Sequence, residues 1–192
     1  MNIMNRYIKL TFTGTIIAIL LVSGVGCGNS TYSTFNIHEG MQPLSFEYPQ
    51  QYKLVRLDME NDDTSQYTTI GLATGGLGNY SEIYVYIWNT TADLPGAAQI
   101  MKKLLDNASQ TLIGFKLGET TTVTIAGLTG EYSIFSASSD STNTQQPPSF
   151  YRVSCCTSGT KAIEVDMTCD AAIKAPTQAD YDHLLESFQL LS

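Results

Sequence analysis

The clearest strand in the sequence is Ile83-Tyr84-Val85-Tyr86-Ile87-Trp88. Successive side chains of a strand point to opposite faces, so the three aromatic residues share one face and the three β-branched residues share the other. A sandwich buries its central strands on both sides, which favours placing both sets in the core. If one face is open instead, Tyr84, Tyr86 and Trp88 form a recognition surface for a sugar or a peptide.

Further strands and two helices are predicted around this strand. Residues 67–73 precede it across a glycine-rich turn and predict a hairpin. Apolar residues three and four apart over 93–108, with Asp93 as the N-cap, predict an amphipathic helix. The remaining expected elements are strands at 44–48, 52–57, 123–127, 131–135, 150–154 and 162–167, and a helix from 177 to 188. This order predicts an α+β domain, with a mostly antiparallel β-sheet and helices packed against it.

Three short segments resemble the PsbP-like superfamily of extracytoplasmic α/β/α sandwiches. They are Phe46-Glu47-Tyr48-Pro49, the predicted hairpin turn within Thr124–Gly130, and the closing segment Leu184–Leu190. The resemblance covers roughly residues 44–190 in the order of elements. It implies a domain that binds or assists rather than catalyses. It transfers no metal ligand or catalytic residue, because the matching positions are core and turn residues.

The N-terminal segment 1–26 has the parts of an export signal. A cationic start at Arg6 and Lys9 leads into an apolar run and then into small residues before Cys27. Cys27 resembles the acylated cysteine of bacterial lipoproteins, although Gly24 stands where that family usually has Leu. The alternatives are an uncleaved anchor helix and ordinary cleavage after Gly26. All three place the rest of the chain outside the cytoplasm. We therefore expect a lipoprotein-type signal peptide at 1–26, a polar tether at 27–43 and a single PsbP-like domain at 44–192.

The charge of the chain excludes one class of partner. Lys and Arg number 10 against 18 Asp and Glu, which gives a net charge of −8. Loss of the leader would remove two positive charges and leave −10. Nucleic-acid binding needs a basic face, so it is not expected. An anionic domain is also repelled by anionic lipid heads, so a lipid on Cys27 would hold it at the membrane. The expected partner is an envelope protein or a small ligand of unknown identity.

Histidine is too scarce for most catalytic sites. The chain has only His38, in the predicted tether, and His183, in the closing helix. Asp180 lies three residues before His183, but no Gly-x-Ser-x-Gly nucleophile elbow occurs. We expect neither catalytic residues nor a cofactor, so the chain is not predicted to be an enzyme. A hydrolase that uses His183 is kept as an alternative.

The segment Asp58–Asp63 has some features of a calcium loop. Asp58, Glu60 and Asp62 supply alternate carboxylates. A calcium loop also needs Gly at position six and Glu at position twelve, where this chain has Asp63 and Thr69. A solvated acidic loop is therefore expected and no metal site is predicted, with Ca²⁺ or small-ligand binding kept as an alternative.

The last predicted hairpin carries three cysteines. If Ser158-Gly159 is its turn, Cys155 lies opposite Ala162, and Cys169 lies seven residues further on, roughly 23 Å away. A disulfide joins α-carbons at most about 7 Å apart, so this register excludes pairing unless Cys169 turns back over the sheet. Cys155, Cys156 and Cys169 are predicted to be buried thiols, and adjacent cysteines lack metal-ligand spacing. On the second strand, alternation predicts that Glu164 and Asp166 face water.

Overall fold

A computed structural model describes residues 32–37, 43–75, 80–138, 148–170 and 174–191. The strands and helices are β1 (Tyr32–Ile37), β2 (Leu44–Pro49), β3 (Lys53–Asn61), β4 (Ser65–Thr74), β5 (Ser81–Thr90), α1 (Ala97–Thr111), β6 (Ile113–Ile125), β7 (Leu128–Ser138), β8 (Ser149–Ser158), β9 (Lys161–Cys169), α2 (Lys174–Ser187) and β10 (Gln189–Leu190). The predicted signal segment 1–26, Cys27 and His38 lie outside the described residues.

Seven antiparallel strands form the main sheet, in the order β3-β4-β5-β9-β8-β7-β6. In β5, Val85 lies opposite Ile70 of β4 and Val165 of β9. All three side chains are buried, and so are Ile83 and Ile87. The β-branched face of β5 therefore packs in the larger core, as its alternation predicts.

A second layer covers that face of the main sheet. It consists of the small sheet β1-β2-β10 and of α2, which packs on β2. The ring of Phe46 stacks on Phe35 with centroids 5.2 Å apart and on Phe188 at 4.8 Å. From α2, the buried Tyr181 hydroxyl donates to the Val165 carbonyl, 2.6 Å away. The ring stacking holds the second layer together, and the Tyr181 hydrogen bond joins that layer to β9, the central strand of the main sheet.

Helix α1 forms the third layer, on the opposite face. It packs on β6, β7 and β8, where Met101 is buried against Phe135, Val153 and Cys155. The helix begins at Ala97 with Gly96 as its N-cap, so the prediction of an Asp93 cap is wrong. The residues around Asp93 instead form a loop in which the Leu94 amide donates to the Gly159 carbonyl.

The predicted fold class is confirmed. A mostly antiparallel sheet lies between two layers that each contain a helix, which is an α+β arrangement. Within the part of the chain that the structure describes, neither helix combines the length and the apolar content needed to cross a bilayer.

Strand β1 corrects the prediction of a polar tether over 27–43. Tyr32–Ile37 pairs with β2 along its whole length, and Phe35 and Ile37 are buried. The polar residues Thr34 and Asn36, which alternate with them, are exposed. Buried and exposed residues alternate in this strand. Only two of its residues, Phe35 and Ile37, are aliphatic or Phe, so the sequence pattern is too weak to separate the strand from the polar residues around it. The folded domain thus includes residues from Tyr32 onward.

The β6–β7 hairpin turns earlier than predicted. Ile125 pairs with Leu128, so the turn is Ala126-Gly127 rather than residues 128–130. Both turn residues have positive φ angles, 50° and 81°. Such two-residue turns favour Asn-Gly, because Asn enters the left-handed region more readily than Ala.

Ala126→Asn should therefore stabilise the protein. We expect the free energy of unfolding to rise by about 0.5–1 kcal/mol in urea titrations followed by circular dichroism. Ala98→Asn, on an exposed position of α1, is the matched control and should cost up to about 0.7 kcal/mol because Asn is a weaker helix former. Equal effects of the two substitutions would contradict the left-handed conformation of Ala126.

Candidate functional site

Four aromatic side chains line the part of the main sheet that α1 leaves uncovered. Tyr84, Tyr86 and Trp88 of β5 form a row whose ring centroids are 6.0 and 5.9 Å apart. Tyr67 of β4 packs beside them, 6.3 Å from Tyr86 and 5.5 Å from Trp88. All four are half-buried and belong to neither hydrophobic core. We call this group the aromatic surface. The sequence favoured burial of both faces of β5. The partial exposure of these rings shows that this prediction is wrong for the aromatic face.

Gly71 of β4 explains how Tyr84 lies on the sheet. The two residues are partners in the β4–β5 register. A Cβ atom on Gly71 would lie only 2.9 Å from Cε1 of Tyr84 and 2.9 Å from Cβ of Arg56 on β3. The missing side chain therefore leaves room for the tyrosine ring to lie over the backbone of β4. An aromatic ring across from a strand glycine covers backbone that would otherwise be open to water.

Charged residues of β3 and β5 border the aromatic surface. In register, Arg56, Asp58 and Glu60 lie opposite Gly71, Thr69 and Tyr67, which places them on the same face as the rings. Arg56 forms an ion pair with Asp58, which raises its pKa. Glu82 lies two residues before Tyr84, on the same face of β5, and accepts a hydrogen bond from Tyr80. The border is therefore mainly acidic.

Two carboxyl groups lie next to the rings, in the central strand β9. Glu164 pairs with Tyr86 and Asp166 pairs with Tyr84 across the β5–β9 ladder. Glu164 is only 2% exposed, and Asp166 Oδ1 is a buried atom with no hydrogen-bond partner among the described residues. The structure thus corrects the prediction that Glu164 faces water, whereas Asp166 keeps part of its surface exposed. On the other side of β9, β8 carries Val153 and Cys155, which α1 covers.

Burial controls the protonation of this acid pair. Desolvation is the main reason why the pKa values of both carboxyl groups lie above their ordinary range, and the neighbouring Asp166 charge raises that of Glu164 further. Among the described residues, no Lys or Arg forms an ion pair with either group. The pair therefore keeps a proton at pH values where exposed carboxyl groups have lost theirs. The nearby Tyr67 hydroxyl is also harder to ionise, chiefly because it is buried and partly because Glu164 is close.

The cysteines do not form a reactive centre. Cys155 and Cys156 are buried free thiols, as predicted, and Cys169 is buried opposite Phe150. The turn lies at Gly159-Thr160, one residue later than predicted, which moves the pairing by two residues, so Cys155 lies opposite Glu164 rather than Ala162. Burial and the Glu164 charge raise the pKa of Cys155, and burial raises that of Cys156 to about 11. Neither thiol is activated as a nucleophile.

His183 joins elements of the second layer. Its Nε2 lies 2.8 Å from Glu47 Oε2 of β2, and its ring stacks on Tyr32 of β1 with centroids 3.7 Å apart. Asp180, three residues before His183, accepts a hydrogen bond from Gln51. No serine or cysteine in the described ranges is hydrogen-bonded to His183.

The acidic segment Asp58–Asp63 is not the loop that the sequence predicted. Strand β3 continues to Asn61, so Asp58 and Glu60 belong to the sheet. Asp62 closes the β3–β4 turn by accepting hydrogen bonds from the amides of Thr64 and Ser65. These bonds hold the pKa of Asp62 far below its ordinary value. The carboxylate is engaged in the turn, and the described residues contain no group of three acidic, histidine or cysteine side chains placed to hold a metal ion.

The aromatic surface and the acid pair together form the candidate binding site. Half-exposed Tyr and Trp rings offer flat apolar area with polar edges, and they attract planar or cationic groups. The sequence identified Tyr84, Tyr86 and Trp88 but not Tyr67 or the acid pair. The β4–β5 hairpin register carried the signal for Tyr67, because it places that residue opposite Trp88. The sequence around Glu164 and Asp166 shows the same alternation as a strand whose polar residues face solvent, so it does not indicate that they lie at a site.

Comparisons with known proteins identify the fold. The sequence matches no protein-family model and no curated protein sequence. LpqN of Mycobacterium tuberculosis, described as involved in cell envelope biogenesis, is a similar solved structure: 11% identity, TM-score 0.52, covering 85% of this chain and 93% of LpqN. The solution structure of cyanobacterial PsbP (CyanoP) from Synechocystis sp. PCC 6803 has 12% identity and a TM-score of 0.51, covering 88% and 99%. The Ran-binding protein Mog1p of Saccharomyces cerevisiae has 9% identity and a TM-score of 0.51, covering 83% and 95%. At these identities the similarity shows a common fold, including that of a PsbP protein.

The acid pair should make stability depend on pH. Unfolded carboxyl groups titrate near pH 4, and the native pair titrates higher, so the native state binds more protons in between. The free energy of unfolding therefore falls as pH rises through this window. Glu164→Gln should reduce this fall and raise stability at pH 8, by about 1.4 kcal/mol for each unit of pKa elevation that it removes. Urea titrations from pH 4 to 8 measure the effect.

Glu119→Gln, on an exposed position of β6, is the control and should keep the wild-type pH slope. Identical slopes for Glu164→Gln and the wild type would show that the pair is ionised in the native protein.

Proposed function

We propose that this protein is a non-enzymatic binding module of the cell envelope and that it binds its partner at the aromatic surface. The observation that carries the proposal is the half-exposed row of Tyr84, Tyr86 and Trp88 on strands that α1 does not cover. Soluble proteins rarely leave several adjacent large rings partly exposed unless the surface is used for binding. The absence of a nucleophile hydrogen-bonded to His183, within the residues described, supports a binding role over catalysis.

The comparison structures support the same proposal. LpqN is described as a cell envelope biogenesis protein and Mog1p as a Ran-binding protein, so this fold occurs in proteins with envelope and binding roles. Proteins that share a fold often bind different ligands, because binding depends on the side chains at the site. In this chain those side chains are the rings of β4 and β5.

We further propose that Cys27 carries a lipid that attaches the module to the outer face of the cell membrane. The export-signal pattern of 1–26 and the small residues before Cys27 support this attachment. Because β1 begins at Tyr32, the five-residue step from Cys27 spans at most about 18 Å. The lipid would therefore hold the domain close to the bilayer, with the start of β1 as the nearest part of the second layer.

Intact mass of the protein extracted from membranes checks the attachment. We expect a mass that corresponds to cleavage before Cys27 plus a diacylglycerol-containing modification. Cys27→Ser should remove the added lipid and release the protein from the membrane fraction. A full-length, unmodified chain in the wild-type sample would exclude lipidation.

Photo-crosslinking checks the binding surface. With p-benzoylphenylalanine in place of Trp88 in the full chain, illumination of intact cells should give one discrete adduct. Tyr84→Ala in that background should reduce its yield at least about fivefold, since a stacking contact contributes about 1 kcal/mol. The same crosslinker in place of Leu117, an exposed residue of β6, should give no such adduct. Equal yields from the two positions, unaffected by Tyr84→Ala, would refute the aromatic surface as the site.

A further inference from the structure

We propose that the occupant of the aromatic surface is an extended peptide segment of a partner protein that carries Lys or Arg at alternate positions. This inference rests on the proposed function and specifies its ligand.

The spacing of the rings fits an extended peptide. The centroids of Tyr84, Tyr86 and Trp88 follow one another at 6.0 and 5.9 Å along β5. Alternate side chains of an extended chain lie about 6.6–6.8 Å apart on one face. A peptide laid along β5 therefore brings every second side chain over successive rings. Tyr67 widens the row toward β4, next to Tyr86 and Trp88.

The charges favour a cationic peptide. Glu60 and Glu82 lie on the face of the rings. Of the basic residues on this face, Arg56 is paired with Asp58, and Lys53 lies at the Glu82 end of the surface, separated from Glu82 by Ala73 of β4. Aromatic faces attract ammonium and guanidinium groups, and acidic groups near the rings strengthen that attraction. A net charge of −8 on the whole chain acts in the same direction over longer distances.

The open shape of the surface favours a peptide over a small molecule. The rings lie on the face of a sheet, whereas small ligands are normally bound in clefts that surround most of their surface. An extended peptide gains affinity from repeated contacts on one side. A glycan could also stack along the rings, but an uncharged sugar gains nothing from the acidic border, so the two classes differ in their dependence on salt.

The single tryptophan of the chain provides a direct readout, because Trp88 belongs to the surface. The full chain in a non-ionic detergent is titrated with an alternating Arg-Ser octapeptide while Trp88 emission is recorded. We expect saturable binding that weakens at least tenfold between 50 and 500 mM NaCl. A block peptide with four Arg followed by four Ser has the same charge but the wrong spacing, and it should bind at least threefold more weakly.

Charge variants with a matched control complete the test. Glu60→Gln combined with Glu82→Gln should lower the affinity for the Arg-Ser peptide at least fivefold. Glu119→Gln on β6 should change that affinity less than twofold. Equal affinity for an alternating Glu-Ser peptide, or no saturable response to the Arg-Ser peptide, would overturn the inference. Salt-independent binding of a neutral oligosaccharide in place of the peptide would also overturn it, yet leave the proposed function standing. The proposed function itself fails if the Trp88 crosslink is absent, or if its yield equals that at Leu117 and is unaffected by Tyr84→Ala.

Discussion

One helix is too narrow to cover a seven-stranded sheet. An α-helix with its side chains is about 10 Å wide, whereas seven strands at about 4.8 Å spacing extend across roughly 29 Å. Helix α1 lies on β6, β7 and β8, so neither of the two described helices covers the same face of β3, β4 and β5. The chain fills this uncovered area with Tyr and Trp, whose rings shield the backbone while their polar edges remain hydrated. The aromatic surface is thus a direct consequence of the unequal coverage of the two faces.

The acid pair lies where the covered and uncovered areas meet. Glu164 has Tyr86 on one neighbouring strand and Cys155, which lies under α1, on the other. Burial of a carboxyl group without a cation is costly, and a neutral side chain of the same shape would be cheaper. The stability of the fold does not require an acid here, because the larger core lies on the opposite face and is continuous without it. Perturbed carboxyl groups of this kind concentrate at functional sites, which connects the pair with the aromatic surface beside it.

The sequence predicted the strands and helices better than it predicted what covers them. Alternation in β5 separates Ile83, Val85 and Ile87 from the aromatic residues, and that division is local information. Whether the aromatic side is covered depends on where α1 packs, which is set by residues distant in sequence. For the same reason the burial of Glu164 could not be foreseen: its strand alternates normally, and only its neighbours Tyr86 and Cys155 exclude water. The turn at Ala126 was missed because alanine is a poor signal for a left-handed turn.

The arrangement of the layers determines on which side of the domain the aromatic surface lies. The aromatic surface and the layer that contains β1 lie on opposite faces of the main sheet. If the lipid is attached at Cys27, the short connection to Tyr32 holds the β1 layer nearest the bilayer at that end. The aromatic surface, on the other face, then stays accessible to a partner approaching from the envelope space. A basic segment would meet two competing anionic surfaces there, the lipid heads and this domain. The rings provide the contacts that lipid heads lack, because a guanidinium or ammonium group gains from stacking as well as from charge.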